Sequence, residues 1–207
     1  MTKTPLTVCV YGGSRHGTQP SYMAAAQAVG RLIGARGWQL VYDGGRVGLM
    51  GEVADTTLTA GGRVIGVIGV IPESLMRREV GYPGLTELRM APTMHQRKQM
   101  MAERADLFLA LPGGIGTLEE LCEVWTWRQL GYHDRPIGLL NTEGYYDDWL
   151  RFMQRSVDEG FLAPEQQAVL RVGGDPQALL LELAALAALA ASPTSTGSAA
   201  TDDFSQI

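Results

Sequence analysis

The stretch Leu107-Phe108-Leu109-Ala110-Leu111-Pro112-Gly113-Gly114-Ile115-Gly116-Thr117-Leu118-Glu119-Glu120 decides the fold of this chain. A short unbroken apolar run, 107–111, stops at proline and glycine, which reads as a strand covered on both faces. From Gly116 to Leu130 the apolar residues recur at helical spacing. Strand, glycine loop and helix in that order form one unit of a parallel α/β sheet. A helix N-terminus exposes unpaired N–H groups and a partial positive charge, so the loop 112–117 is suited to a phosphate. The Thr117 hydroxyl adds a donor there.

The same alternation extends in both directions. Strands are expected over 7–11, 39–42, 64–70, 107–111 and 136–140, with a short sixth over 168–172. Helices are expected over 21–36, 48–60, 94–105, 116–130 and 145–158. Right-handed crossovers place such helices on both faces of a mostly parallel sheet. Three glycine clusters fall at strand ends: Gly12-Gly13-Ser14, Gly44-Gly45-Arg46 and Gly113-Gly114-Ile115-Gly116. Each alone is an ordinary tight turn. Together, on the rim where open α/β sheets bind ligands, they predict one composite pocket.

Composition narrows the ligand. The chain has 207 residues, 45% hydrophobic and 19% charged, with a net charge of −5, which fits one domain over 1–191. Lysine is confined to Lys3 and Lys98, so there is no basic stripe for a nucleic acid. An anionic small molecule must be held by backbone N–H groups and a few arginines. The apolar segment 178–191 is too short for a membrane span, is interrupted by Glu182 and is expected to dock as a helix. The tail 192–207 is small and polar and is expected to be disordered. Residues 1–5 lack the layout of a signal peptide, and Cys9 and Cys122, read as buried free thiols, fit a reducing cytoplasm. No CxxC pair or histidine pair has ligand spacing, so no metal is expected.

Familiar nucleotide loops are absent. The third glycine of G-x-G-x-x-G is replaced by Glu119, no Gly-Lys-[Ser/Thr] occurs, and Ser14 lies outside a G-x-S-x-G elbow. Dinucleotides and nucleoside triphosphates are therefore poor candidates. Thr117-x-x-Glu120 also has the spacing of a capping box, in which both side chains serve the helix end. On spacing alone that assignment outweighs a catalytic Glu120. The segment Met94-His95-Gln96-Arg97-Lys98, upstream of the strand, supplies two cations that can face a phosphate or a developing anion. The plain alternative for them is a solvated helix face.

Two motifs carry a resemblance. Residues 112–120 match P-G-G-x-G-T-x-x-E, and 94–98 match M-H-x-R-K. In this the chain resembles the Lonely Guy family of cytokinin riboside 5'-monophosphate phosphoribohydrolases, long labelled lysine decarboxylase-like. Gly13-Ser14 with Gly17, Pro20 and Tyr22, the run Val47-Gly48-Leu49-Met50-Gly51, and Thr126 with Gln129-Leu130-Gly131 extend the match over 6–190. The resemblance implies a Rossmann-like three-layer αβα fold. It implies hydrolysis of the N-glycosidic bond of a nucleoside 5'-monophosphate, without a cofactor, to free base and ribose 5-phosphate. Arg97 and Glu120 match the catalytic pair. Gly114, Ile115, Gly116, Thr117, Leu118, Glu119 and Glu120 match the phosphate and ribose loop. Glu79, Arg97, Lys98, Thr126, Gly13 and Ser14 match further substrate contacts. The family also implies a homodimer with sites near the interface.

Departures bear on substrate preference. Members commonly show V-Y-G-G-G where this chain has Val41-Tyr42-Asp43-Gly44-Gly45, and a carboxylate at Asp43 weakens phosphate binding if it points inward. Arg15 and Ile115 also depart from the common pattern. Met90, Met94, Met100 and Met101 are candidates for a base pocket, although methionines so spaced are more often core. Two rival functions share these residues. A molybdenum-cofactor carrier needs the anion site but not the Glu–Arg pair. A pyridoxal-phosphate lysine decarboxylase needs a Schiff-base lysine, for which Lys98 is the candidate.

Overall fold

The computed structural model describes residues 5–69 and 84–191. Glu79 and the tail 192–207 lie outside the described residues. The described chain runs β1 (Thr7–Tyr11), α1 (Pro20–Ala35), β2 (Gln39–Tyr42), α2 (Gly48–Thr59), β3 (Arg63–Gly69), β4 (Glu87–Ala91), α3 (Met94–Arg104), β5 (Leu107–Ala110) and α4 (Ile115–Gln129). It continues through β6 (Ile137–Leu140), a 3-10 turn (Thr142–Gly144), α5 (Asp147–Asp158), α6 (Pro164–Gln167), β7 (Leu170–Gly173) and α7 (Pro176–Ala190).

The strands form one sheet in the order β4-β3-β2-β1-β5-β6-β7, and every pair is parallel. Alternation along each strand feeds two cores. Val8 and Val10 of β1, with Leu40, Tyr42, Leu107 and Leu109, pack under α1, α2 and α7. Cys9 and Tyr11, with Val41, Phe108 and Ala110, face α3, α4 and α5. Both faces are covered, which is why the central strands read as unbroken apolar runs. The result is the expected three-layer α/β fold. No helix among the described residues is long and apolar enough to cross a membrane. The segment read as a docked helix is α7, whose Leu179, Leu180 and Leu183 are buried.

Two expectations need correction. Strand β4 was not foreseen. Among the described residues it pairs only with β3, and its Leu88, Arg89 and Met90 are exposed, so an edge strand left no buried run to read. Cys122 is exposed on α4, whereas Cys9 is buried as expected.

The chain steps from β1 to β2, β3 and β4 on one side, then crosses to β5 on the other. The loops leaving β1 and β5 therefore diverge, and that opens a crevice at their carboxyl ends.

Candidate active site

A cavity of about 570 Å³ occupies that crevice. The loops that form it are tied to one another through backbone. The Gly13 N–H donates to the Pro112 carbonyl at 3.0 Å, and the Leu49 N–H donates to the Gly13 carbonyl at 2.9 Å. Gly48 opens α2 at a φ of +58°, and a Cβ there would lie 2.3 Å from the Arg15 nitrogen. Tyr145 and Tyr146, beyond β6, brace the β5 loop: their hydroxyls donate to the carbonyls of Gly113 at 2.6 Å and Leu111 at 2.7 Å. The Tyr145 ring meets the Tyr22 ring edge-on, with centroids 5.7 Å apart.

The glycines of the β5 loop divide by task. A Cβ on Gly113 would sit 2.1 Å from the Thr117 Oγ1 and 2.9 Å from the Gly13 nitrogen, so packing alone demands glycine there. Gly114 and Gly116 have nothing within 4 Å of the Cβ position, and both line the cavity. Protein packing does not require these two to be glycine. The open space leaves their backbone accessible to a ligand.

The capping box does not form. Helix α4 begins at Ile115 with Gly114 as its N-cap and no side-chain cap bond, and the Leu118 N–H donates to the Gly114 carbonyl at 3.2 Å. Thr117 and Glu120 thus lie within the helix, both buried. Glu120 faces Arg97 of α3, whose Nη2 donates to Oε1 at 2.9 Å. Helix α3 is fixed at its start by Thr93, whose hydroxyl accepts the Gln96 N–H at 3.1 Å. The buried Arg97 Nε has no hydrogen-bond partner among the described residues. Burial pushes the Glu120 carboxyl from its ordinary 4.5 up to about 7; Arg97 opposes the rise and Asp43 adds to it. A carboxyl group that titrates near neutrality is suited to moving protons at neutral pH.

Gly13, Ser14, Arg97, Gly114, Ile115, Gly116, Thr117, Glu119 and Glu120 all line the cavity. Leu118 instead packs into the core beneath α4. Thr126 lies further along α4, its hydroxyl donating to the Cys122 carbonyl at 2.7 Å. Lys98 points along α4, forming ion pairs with Glu119 and, at 2.9 Å, with Glu123. Burial works against its charge, but the two glutamates outweigh that and raise its pKa. Lys98 is not among the cavity residues, and Lys3 lies outside the described residues, so among the described residues the decarboxylase reading finds no lysine in the cavity.

Of the three glycine clusters, those after β1 and β5 line the cavity. Beside the third, Asp43 is the residue that reaches it, while Gly44 serves packing against Ile68. Met94 and Met50 line the wall, whereas Met101 is core and Met90 lies exposed on the edge strand. His16 and Tyr145 also line it and were not singled out in the sequence. Their one signal was position, shortly after the carboxyl ends of β1 and β6.

A family model described as "Possible lysine decarboxylase" matches residues 50–183. The chain is 49% identical over 176 residues to the cytokinin riboside 5'-monophosphate phosphoribohydrolase LOG of Oryza sativa subsp. japonica, covering 85% of this chain and 72% of that one. It is 47% identical over 176 residues to LOG7 of Arabidopsis thaliana, covering 85% and 80%. Among solved structures, the molybdenum cofactor carrier protein of Chlamydomonas reinhardtii superposes with a TM-score of 0.66 at 20% identity, over 90% of this chain and 99% of that one. That likeness extends to the fold alone. Matched by the family model over residues 50–183 and by relatives at 47–49% identity over 85% of its length, the chain belongs to the Lonely Guy family of cytokinin riboside 5'-monophosphate phosphoribohydrolases.

Proposed function

We propose that this protein hydrolyses the N-glycosidic bond of adenosine 5'-monophosphates, N6-modified ones of the cytokinin type included, to the free base and ribose 5-phosphate. The observation that carries the proposal is the Arg97–Glu120 pair, 2.9 Å apart and nearly buried on the wall of a glycine-lined cavity. A structural ion pair needs no such cavity, and a phosphate site alone needs no buried carboxylate.

In this reading the phosphate sits on the backbone N–H groups of Gly114–Thr117, at the positive end of α4. That anchor aligns the sugar, so binding energy is used to orient the reacting carbon. Cleavage passes through a sugar with oxocarbenium character. Ionised Glu120 stabilises that charge and takes a proton from the attacking water, whose oxygen bonds to C1' as the bond to the base nitrogen breaks. The proton that Glu120 takes from water passes on to the departing base nitrogen, so that OH ends on C1' and H on the base. Arg97 orients Glu120 through Nη2 and leaves its Nε to a ligand. The reading includes a homodimer in the cytoplasm, both taken from the family resemblance and the composition.

Incubation of the purified protein with AMP and with N6-isopentenyl-AMP tests the proposal. Free base and ribose 5-phosphate should appear in equal amounts. Failure to release either from both substrates overturns it.

A further inference from the structure

We infer that Asp43 reads the sugar: its carboxylate accepts hydrogen bonds from the vicinal hydroxyls of a 5-phosphoribosyl group and sets a preference for ribonucleotides over 2'-deoxyribonucleotides. The inference rests on the function proposed above and concerns a position where the resemblance leads one to expect glycine.

Topology places Asp43 for this task. It follows β2, and β1 lies between β2 and β5 in the sheet. Neighbouring strands are about 4.8 Å apart, so Asp43 stands about 10 Å across the rim from the β5 loop. A phosphate on that loop is thus kept away from the Asp43 charge. A 5-phosphoribosyl group plus one hydrogen bond fills the interval. In doubly wound folds an acidic residue beyond the second strand commonly holds ribose hydroxyls while a glycine turn holds phosphate. The same division of labour is available here, although the phosphate loop is the one after β5.

Local geometry prepares the group. The Gly45 N–H donates to the Asp43 Oδ1 at 3.1 Å, which turns the side chain back over its own loop and orients it. An ionised carboxylate offers about four lone-pair sites, so it can accept from several donors at once. Asp43 lines the cavity together with Glu120 and Thr117. Its charge is felt at Glu120, which also meets Arg97 and Lys98 of α3 and Glu119 of its own helix. The Asp43 charge disfavours a second negative charge at Glu120. Neutral hydroxyl donors suit that position, and another anion does not.

The test compares wild type, Asp43→Gly and Asp43→Asn with AMP and 2'-deoxy-AMP, measuring kcat/KM and, separately, Kd by calorimetry. Wild type should favour AMP by about 10- to 100-fold, the range for a hydrogen bond to a charged acceptor. Asp43→Gly should bring both ratios close to one. Asp43→Asn, which keeps one acceptor oxygen, should fall between. An unchanged ratio in Asp43→Gly, or wild type that treats both sugars alike, overturns the inference. So does a change confined to AMP against IMP, which would assign Asp43 to the base instead. If wild type binds nucleotide but releases no ribose 5-phosphate, the hydrolase reading fails, and the Kd ratio still decides the role of Asp43.

Discussion

Replacing Glu120 by glutamine should flatten the pH dependence of stability in a defined window. The folded protein holds the Glu120 proton to about 7, against 4.5 for the exposed group, because burial disfavours the charge more than Arg97 favours it. Below 4.5 the carboxyl is protonated in both states and its ionisation costs the fold nothing. As pH rises from 4.5 to about 7 the unfolded chain releases the proton and the folded chain keeps it, so ionisation favours unfolding. The stability linked to that proton is thus present at low pH and lost through the window. A rise from 4.5 to about 7 corresponds to about 3 kcal/mol. Glutamine cannot titrate and has nearly the same shape. The experiment is urea unfolding followed by far-UV circular dichroism at steps from pH 4.5 to 8.5, for wild type and Glu120→Gln. The readout is the change with pH in the difference between the two curves, in which titrating groups that do not interact with Glu120 cancel. That difference should shift by about 3 kcal/mol in favour of the glutamine variant and level off above pH 7. Parallel curves would refute the reasoning. A shift of opposite sign would show that the ion pair outweighs burial and that Glu120 is fully ionised at neutrality.

Three further outcomes follow from the same geometry. Glu120→Ala and Arg97→Ala should each lower kcat/KM by about 100- to 10,000-fold in the ribose 5-phosphate assay, with the far-UV spectrum unchanged. Gly113→Ala and Gly116→Ala should part company in thermal melts and kinetics. A Cβ on Gly113 meets Thr117 at 2.1 Å and should cost about 1–3 kcal/mol, whereas Gly116 has open space inside a helix, so alanine there should add about 0.5–1 kcal/mol of stability while raising KM. Tyr145→Phe removes the bond to the Gly113 carbonyl and should cost about 1 kcal/mol, seen as a higher KM with kcat nearly kept.

Much of the sheet was legible because burial on both faces writes itself into sequence as an unbroken run. Residues 7–11 and 39–42 have the observed bounds of β1 and β2, and residues 107–111 overshoot β5 by one. Strand β4 escaped for the complementary reason. Exposed at Leu88 and Met90, and followed closely by the helical period of α3, it lacked the unbroken apolar run of an interior strand, although Pro83-Gly84 and Pro92 flank it. The rim was legible too, since glycine after an apolar run marks a turn at a strand end whatever the turn is for. What that pattern could not tell was which glycines serve the protein and which serve a ligand. Gly44 and Gly113 are held by contacts with Ile68 and Thr117, and only the space around Gly114 and Gly116 sets those two apart.

Glu120 shows why the chemistry was harder to read than the fold. As the end of Thr117-x-x-Glu120 it has an adequate local explanation as a cap, and Arg97 beside Lys98 has one as a solvated face. The first explanation depends on where α4 begins. Had Thr117 been the N-cap, Glu120 would have turned back toward the helix end. Because Gly114 takes that place, Glu120 falls a full turn inside the helix and faces α3. The adjacent cations then separate: Arg97 turns to Glu120 in the cavity, and Lys98 turns along α4 to Glu119 and Glu123. Sequence spacing places both cations on one short segment but does not divide them. The division follows from the packing of α3 against α4. It leaves Arg97 paired with one buried carboxyl that titrates near neutrality, with the carboxylate of Asp43 across the rim and Arg15 and Glu119 also in the lining.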